Sequence, residues 1–275
     1  MIDDYYEYFE EEPEPEPQPD PIAVAASKDL RKFFSRRRMP YYIGQLECMF
    51  EKKYFHWVTH SAVRLLINDG FLKESNTVIA GNPMTFVHRP NLSAAVLNKH
   101  INAAKRLLKI VWSEEMAKMR GTHLEALVRA ELRANGFLIV GIHTKQYRDK
   151  EWTETGHDLD FIAELGNGEA IGLEVKNTLP YIPKKEFELK LKMCEYFGVR
   201  PVFAARWLPK NYIYQAYRKR GFGWLFEYQA YPLGHERLCE QLQKRLSFPV
   251  MVMTELPPKS QELFSKWVKK LKGVS

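Results

Sequence analysis

Apolar positions recur at helical spacing through much of the chain, and short apolar runs interrupt them at intervals. From Tyr41 the stretches YYIGQLECMFEKKYF and WVTHSAVRLLINDGFL read as helices, with Val58, Ala62, Leu65 and Leu66 as a core stripe and Asp69-Gly70 as a stop. TVIA and MTFVH follow as short strands around a turn at Gly81-Asn82-Pro83. NLSAAVLNKHINAAKRLLKIVWSEEMAKMRG predicts one or two amphipathic helices, with Leu97, Ile101, Ala104, Leu107, Leu108 and Val111 inward. A new unit begins at GTHLEALVRAELRANGFLIVG, a helix closed by Gly136 and followed by a strand. HDLDFIAEL and EAIGLEVKN predict a hairpin around Gly166-Asn167-Gly168. PKKEFELKLKMCEYFG then reads as a helix, RPVFAARWLPKN as a strand, and two amphipathic helices end the chain.

The boundaries that follow are an acidic tail over 1–27, a basic arm and small domain over 28–91, a helical linker over 92–120, and a second domain over 121–275. Residues 1–20 hold nine acidic and no basic side chains. Alternating Glu and Pro there oppose packing, so the tail is expected to be disordered. Removing those nine charges from the formal +7 leaves +16 on the rest, which suggests a polyanionic partner. KDLRKFFSRRRMP reverses the sign abruptly, so Arg36, Arg37 and Arg38 are candidate phosphate contacts, a surface for the tail to fold back on, or a solubilising junction. No run of about 18 apolar residues and no secretory signal is present, so an intracellular, cytoplasmic protein without a membrane partner is expected. Cys48, Cys194 and Cys239 are widely spaced with no CxxC, which argues for buried small hydrophobes rather than a disulfide framework or an iron–sulfur site.

Residues 40–90, a helix, an exposed turn and a hairpin, resemble the second half of a winged-helix domain. The likeness implies that the helix from His56 to Asn68 faces a DNA major groove, with His60 and Arg64 outward, Lys73 just beyond its end, and His88 and Arg89 beside the wing.

The candidate chemistry lies in HDLDFIAELGNGEAIGLEVKN. Alternation places Asp158 and Asp160 on one face of the first strand and Glu174 and Lys176 on one face of the second. A strict two-residue Asn167-Gly168 turn would oppose Asp160 to Val175 and separate the carboxylates, so a site requires a three- or five-residue connection, a bulge or a distortion. Two or three carboxylates can hold a hard divalent cation where a phosphodiester accumulates charge, which points to Mg²⁺ with Mn²⁺ as substitute.

A helix carrying Glu125, then HDLDFIA, then LEVKN resembles the PD-(D/E)XK nuclease superfamily from about Gly121 to Pro209. The resemblance implies an α/β restriction-endonuclease-like central mixed sheet flanked by helices. It also implies Glu125 as the helix carboxylate, Asp160 as the strand aspartate, and Glu174 and Lys176 as the E-x-K pair. Asp158 competes with Asp160 as metal ligand, and a histidine stands where the family often has glycine or proline. Lys176 would orient or activate the attacking water, and Lys190 or Arg206 would lie near substrate phosphates. The expectation is a metal-dependent DNA endonuclease. Two-fold cleavage of a duplex would call for a homodimer, whose interface no stretch of sequence marks. The alternatives are a non-catalytic DNA-binding regulator with a nuclease-like fold, and an RNA-processing endonuclease.

Overall fold

The computed structural model describes residues 20–273. Residues 1–19 of the expected acidic tail lie outside the described residues. The remainder of that expected tail is ordered: α1 (Pro21–Ser35) starts at a proline in the first turn, and the Asp20 side chain accepts a hydrogen bond from Ile22 N. Ala23, Ala26, Leu30 and Phe34 form its buried stripe, so 21–27 belongs to the first module.

After α1 come β1 (Tyr41–Tyr42), α2 (Ile43–Phe50), α3 (His56–Asn68), β2 (Lys73–Ile79) and β3 (Asn82–His88). The three strands form an antiparallel sheet in the order β1-β3-β2. Asp69 and Gly70, with φ +74°, end α3 where the sequence predicts. The hairpin turn falls one or two residues earlier than predicted. Ala80 and Gly81 both have positive φ and form the two-residue loop, while Pro83 lies within β3. Pro83 opposes Val78 in the non-hydrogen-bonded pair after Ile79↔Asn82, so its missing N–H points toward the side that two-residue β1 does not reach.

Ser93 and Ser113 cap α4 (Ala94–Val111) and α5 (Glu114–Ala134) by accepting hydrogen bonds from Val96 N and Met116 N. The expected boundary at residue 121 therefore falls inside one continuous helix. The expected linker over 92–120 is also a packing element. Ile101, Ala104, Leu107, Leu108 and Val111 of α4 share a core with Met84 and Phe86 of the hairpin and with Leu242 and Leu246 near the C-terminus.

The second module is mixed α/β. It contains β4 (Leu138–Thr144), β5 (Gln146–Tyr147), β6 (Lys150–Glu151), β7 (Leu159–Glu164), β8 (Ala170–Lys176), α6 (Lys184–Phe197), β9 (Arg200–Ala205), α7 (Lys210–Arg218) and β10 (Phe222–Leu225). Its five-stranded sheet has the order β10-β9-β8-β7-β4, antiparallel among β4, β7 and β8 and parallel from β8 to β10. The chain closes with β11 (Gln229–Tyr231), α8 (Glu236–Leu246), β12 (Val250–Val252) and α9 (Pro258–Leu271). Leu124 and Val128 of α5 and Phe264 of α9 pack with Phe161 and Trp224, while Phe187 and Leu191 of α6 pack with Phe203. Helices therefore flank the sheet. No helix among the described residues is long and apolar enough to cross a membrane.

A buried ion pair fastens the modules together. Arg206, immediately after β9 and 1% exposed, donates to both carboxylate oxygens of Glu51 at 2.6 and 2.7 Å and to the Leu179 carbonyl at 2.7 Å. Arg206 is therefore not a phosphate contact, because its guanidinium is consumed inside the protein. Arg206→Ala is expected to lower the unfolding free energy by about 3–5 kcal/mol in urea titrations, because Glu51 stays buried without its partner. The double variant Glu51→Gln, Arg206→Met should lose less than the two single effects combined.

Candidate active site

The β7–β8 hairpin meets the register condition set by the sequence. Glu164↔Ala170 and Phe161↔Leu173 pair across it, and Leu165 N donates to the Glu169 carbonyl at 2.8 Å, leaving Gly166, Asn167 and Gly168 as a three-residue loop. Gly168, at φ +86°, supplies the left-handed residue that such a loop needs. The same register continued places Asp160 opposite Glu174, with both carboxylates on one face. Asp160 Oδ2 accepts a hydrogen bond from Val175 N at 2.6 Å. Asp158 precedes β7 and is more exposed, so Asp160 is the residue that faces Glu174.

A second register shift brings in a residue that no sequence motif marks. Between Ile139↔Ala163 and Gly141↔Ile162, β4 carries one extra residue. Beyond that bulge Ile142 opposes Phe161, so His143 falls opposite Asp160. Without the bulge Ile142 would stand there. His143 has φ +44°, and its ring lies between two carboxylates, Nε2 at 3.4 Å from Glu125 and Nδ1 at 3.6 Å from Asp160. Glu125, little more than a turn beyond the buried Arg120 on α5, thereby reaches the same corner.

Glu174 is the buried centre, 2% exposed. Its Oε1 lies 3.1 Å from Lys176 Nζ and its Oε2 2.5 Å from Lys190 Nζ. Oε2 is thus buried directly against the Lys190 ammonium. Burial, then the charge of Asp160, pushes the Glu174 carboxyl up to about 7 against the pull of the two lysines. Burial also raises Asp160, with Glu125 adding to it and Val175 N–H, Lys190 and Lys176 opposing. Burial works against a charged Lys176, but Glu174 and Glu186, the latter 2.7 Å away, outweigh it and raise its pKa. Both carboxylates thus favour the charged form of Lys176.

Lys190, expected at substrate phosphates, is instead 4% exposed and bound to Glu174 and the Asp158 carbonyl. Glu186, also missed, sits one turn before it on α6. The i, i+4 spacing of Glu186 and Lys190 was visible in sequence, but nothing local marked that face as inward. Asn177, after the LEVKN lysine, is buried. Its side chain donates to the Arg120 and Ala230 carbonyls at 2.8 and 2.7 Å and accepts from Ala230 N, tying the end of β8 to the helix that bears Glu125.

The DNA-facing candidates divide. Arg36, Arg37, Arg38 and Lys73 are exposed. His60 pairs with Glu47 and Arg64 with Glu74, both at the surface. His88 is buried against Ser75, contrary to expectation, and Arg89 lies over the Phe71 ring at 3.9 Å. Around α7 and β10, Tyr212 and Trp224 are core, whereas Tyr214 and Tyr217 are exposed.

Two groups of side chains offer donor atoms to a metal. Cys48, Glu51 and His56 are the one group gathered within 4.8 Å among the described residues. Arg206 already occupies both Glu51 oxygens, and burial pushes the Cys48 thiol up to about 12, so this group does not fit a metal. Asp160 and Glu174, with Glu125 nearby, offer only oxygens, and Glu174 Oε2 also faces Lys190. An all-oxygen set is the donor type that a hard divalent cation takes.

Glu174 has a folded pKa above its ordinary 4.5, so its contribution favours the folded state below pH 4.5 and is lost as pH rises through about 7. Metal-free protein should lose on the order of 2–3 kcal/mol from this group between pH 4.5 and 8. Asp160→Asn removes one cause of the shift, and urea midpoints in EDTA at about pH 5 and 8 should show a smaller loss. Against protein-family models, curated proteins and solved structures, the chain matches none.

Proposed function

We propose that the protein is a metal-dependent nuclease that hydrolyses phosphodiester bonds in DNA, with its N-terminal module supplying duplex affinity. One observation carries the reading: Asp160, Glu174 and Lys176 share the β7–β8 strand ends while Glu125 of α5 meets Asp160 across His143. A helix ahead of an antiparallel β4-β7-β8 meander, continued by parallel β9 and β10, supports the PD-(D/E)XK resemblance and a restriction-endonuclease-like fold. The helix–strand–helix–helix–strand–strand order and β1-β3-β2 sheet support the winged-helix reading.

Asp160 and Glu174 would hold Mg²⁺ or Mn²⁺, with Glu125 reaching it directly or through water, and the bound ion would supply Lewis-acid stabilisation of the phosphate's developing charge. Lys176 stays protonated and donates to a water or phosphoryl oxygen beside Glu174. Glu186 also holds that ammonium, at 2.7 Å. His143 stands between Glu125 and Asp160 and holds the two carboxylates apart.

A non-catalytic DNA-binding regulator is favoured by one contrary feature. Lys176 and Lys190 engage both oxygens of Glu174, as expected where a fold has exchanged a metal for ammonium groups.

Labelled linear duplex, single strand, flap, four-way junction and RNA, incubated with Mg²⁺, Mn²⁺ or EDTA, separate these readings. Asp160→Ala and Glu174→Ala should each lower metal-dependent cleavage by about a hundredfold or more. Binding without cleavage, unchanged in both variants, would instead establish the regulator. Replacing Arg36, Arg37 and Arg38 with Ala should weaken duplex binding across sequences. The slope of log affinity against log salt should become shallower by about 0.9 for each phosphate that is no longer neutralised.

A further inference from the structure

We propose that the cleft between α3 and the loop joining β8 to α6 binds an unpaired nucleobase, which rests on the nucleic-acid reading above. The cleft has a volume of about 660 Å³, within the range of small-ligand sites. Its walls come from both modules: His56, Trp57 and His60 of α3, the segment from Pro180 to Pro183, and the starts of α6 and α7.

Trp57 sets the chemistry of the occupant. Its indole stacks on Phe55 with centroids 4.7 Å apart and planes 16° apart, so its orientation is fixed, yet it remains 51% exposed. A large ring held rigid at the mouth of a cleft provides a π surface at little ordering cost. Tyr181 forms a second aromatic wall nearly perpendicular to it at 6.2 Å, and His56 covers one Tyr181 face at 3.9 Å. The Tyr181 hydroxyl is closed off from the cleft, beside Glu51 and Arg206, so only the ring offers a surface to an occupant. A flat heterocycle would stack on Trp57. Glu47, which lines the cleft beside His60, can accept from an exocyclic amino group.

The location connects this cleft to the candidate reacting centre. Lys184 lines the cleft as the first residue of α6, and Glu186, two residues later, holds Lys176. The two contacts are close along the helix axis but on different sides of α6. A base seated on Trp57 would belong to a strand that passes the start of α6, with Lys184 at the rim for the adjoining backbone. A base inside an intact duplex cannot enter. The favoured substrate is a strand with an unpaired or extruded nucleotide, as at a flap, a junction or a single-stranded end.

The test uses the intact chain in EDTA, so binding is read without cleavage. Single-stranded DNA, RNA of the same sequence and a matched perfect duplex are titrated by anisotropy and by tryptophan emission. The chain has six tryptophans, so the part of the quench that disappears in Trp57→Phe isolates Trp57. Wild type should be quenched by a single strand, Trp57→Phe should keep its affinity, and Trp57→Ala should bind single strands about tenfold or more weakly with duplex affinity within about twofold. The strand bound more tightly, DNA or RNA, names the source of the base. Single-strand binding indifferent to Trp57, or an equal loss on duplex, overturns this site alone. No binding to any of the three overturns the nuclease reading with it.

Discussion

A charge taken out of water must be neutralised where it stands, and two buried carboxylates impose that requirement on this molecule. Glu174 needs Lys176 from its own strand and Lys190 from α6, which fixes how α6 lies on the sheet. Glu51 needs Arg206, 155 residues away, with His56 on the same carboxylate, which fixes how the N-terminal module sits against the end of β9. His56 in turn stacks on Tyr181, so one buried charge network also shapes the cleft wall next to Trp57. Apolar cores fill the space around these pairs. The pairs decide which surfaces face one another.

Backbone register then determines what those surfaces carry. A three-residue loop, permitted by the positive φ of Gly168, puts Asp160 opposite Glu174 rather than opposite Val175. One extra residue in β4 puts His143 opposite Asp160 in place of Ile142. Each is a one-residue matter, and because strand side chains alternate, each changes the chemistry of a whole face. The Asn177 hydrogen bonds hold the end of β8 against α5 and β11, so Glu125 and the strand carboxylates keep a common frame. The strained His143 lies at the point where these constraints meet, as expected of a residue whose surroundings over-determine its conformation.

The sequence by itself determined the helical stripes of α3, α4 and α5, the stops at Gly70 and Gly136, the strands β2, β3, β4, β7, β8 and β9, and the burial of the three cysteines. It also named Asp160, Glu174 and Lys176 and included a three-residue loop among the connections that would bring the carboxylates together. These features are local: backbone sterics and the periods of helix and strand act over a few residues, and the residues concerned are adjacent in the chain. Tertiary structure alone decided which cations neutralise buried carboxylates. In sequence, Lys190 and Arg206 look like any basic residue on an amphipathic element, and only long-range packing shows them consumed inside. For the same reason α4 read as a linker although it completes a core shared by both ends of the chain. His143 and Trp57 carried no local signal, since one depends on a bulge and the other on a cleft closed by a loop more than a hundred residues away. Register and charge pairing are settled by contacts between distant segments, and no window of neighbouring residues contains them.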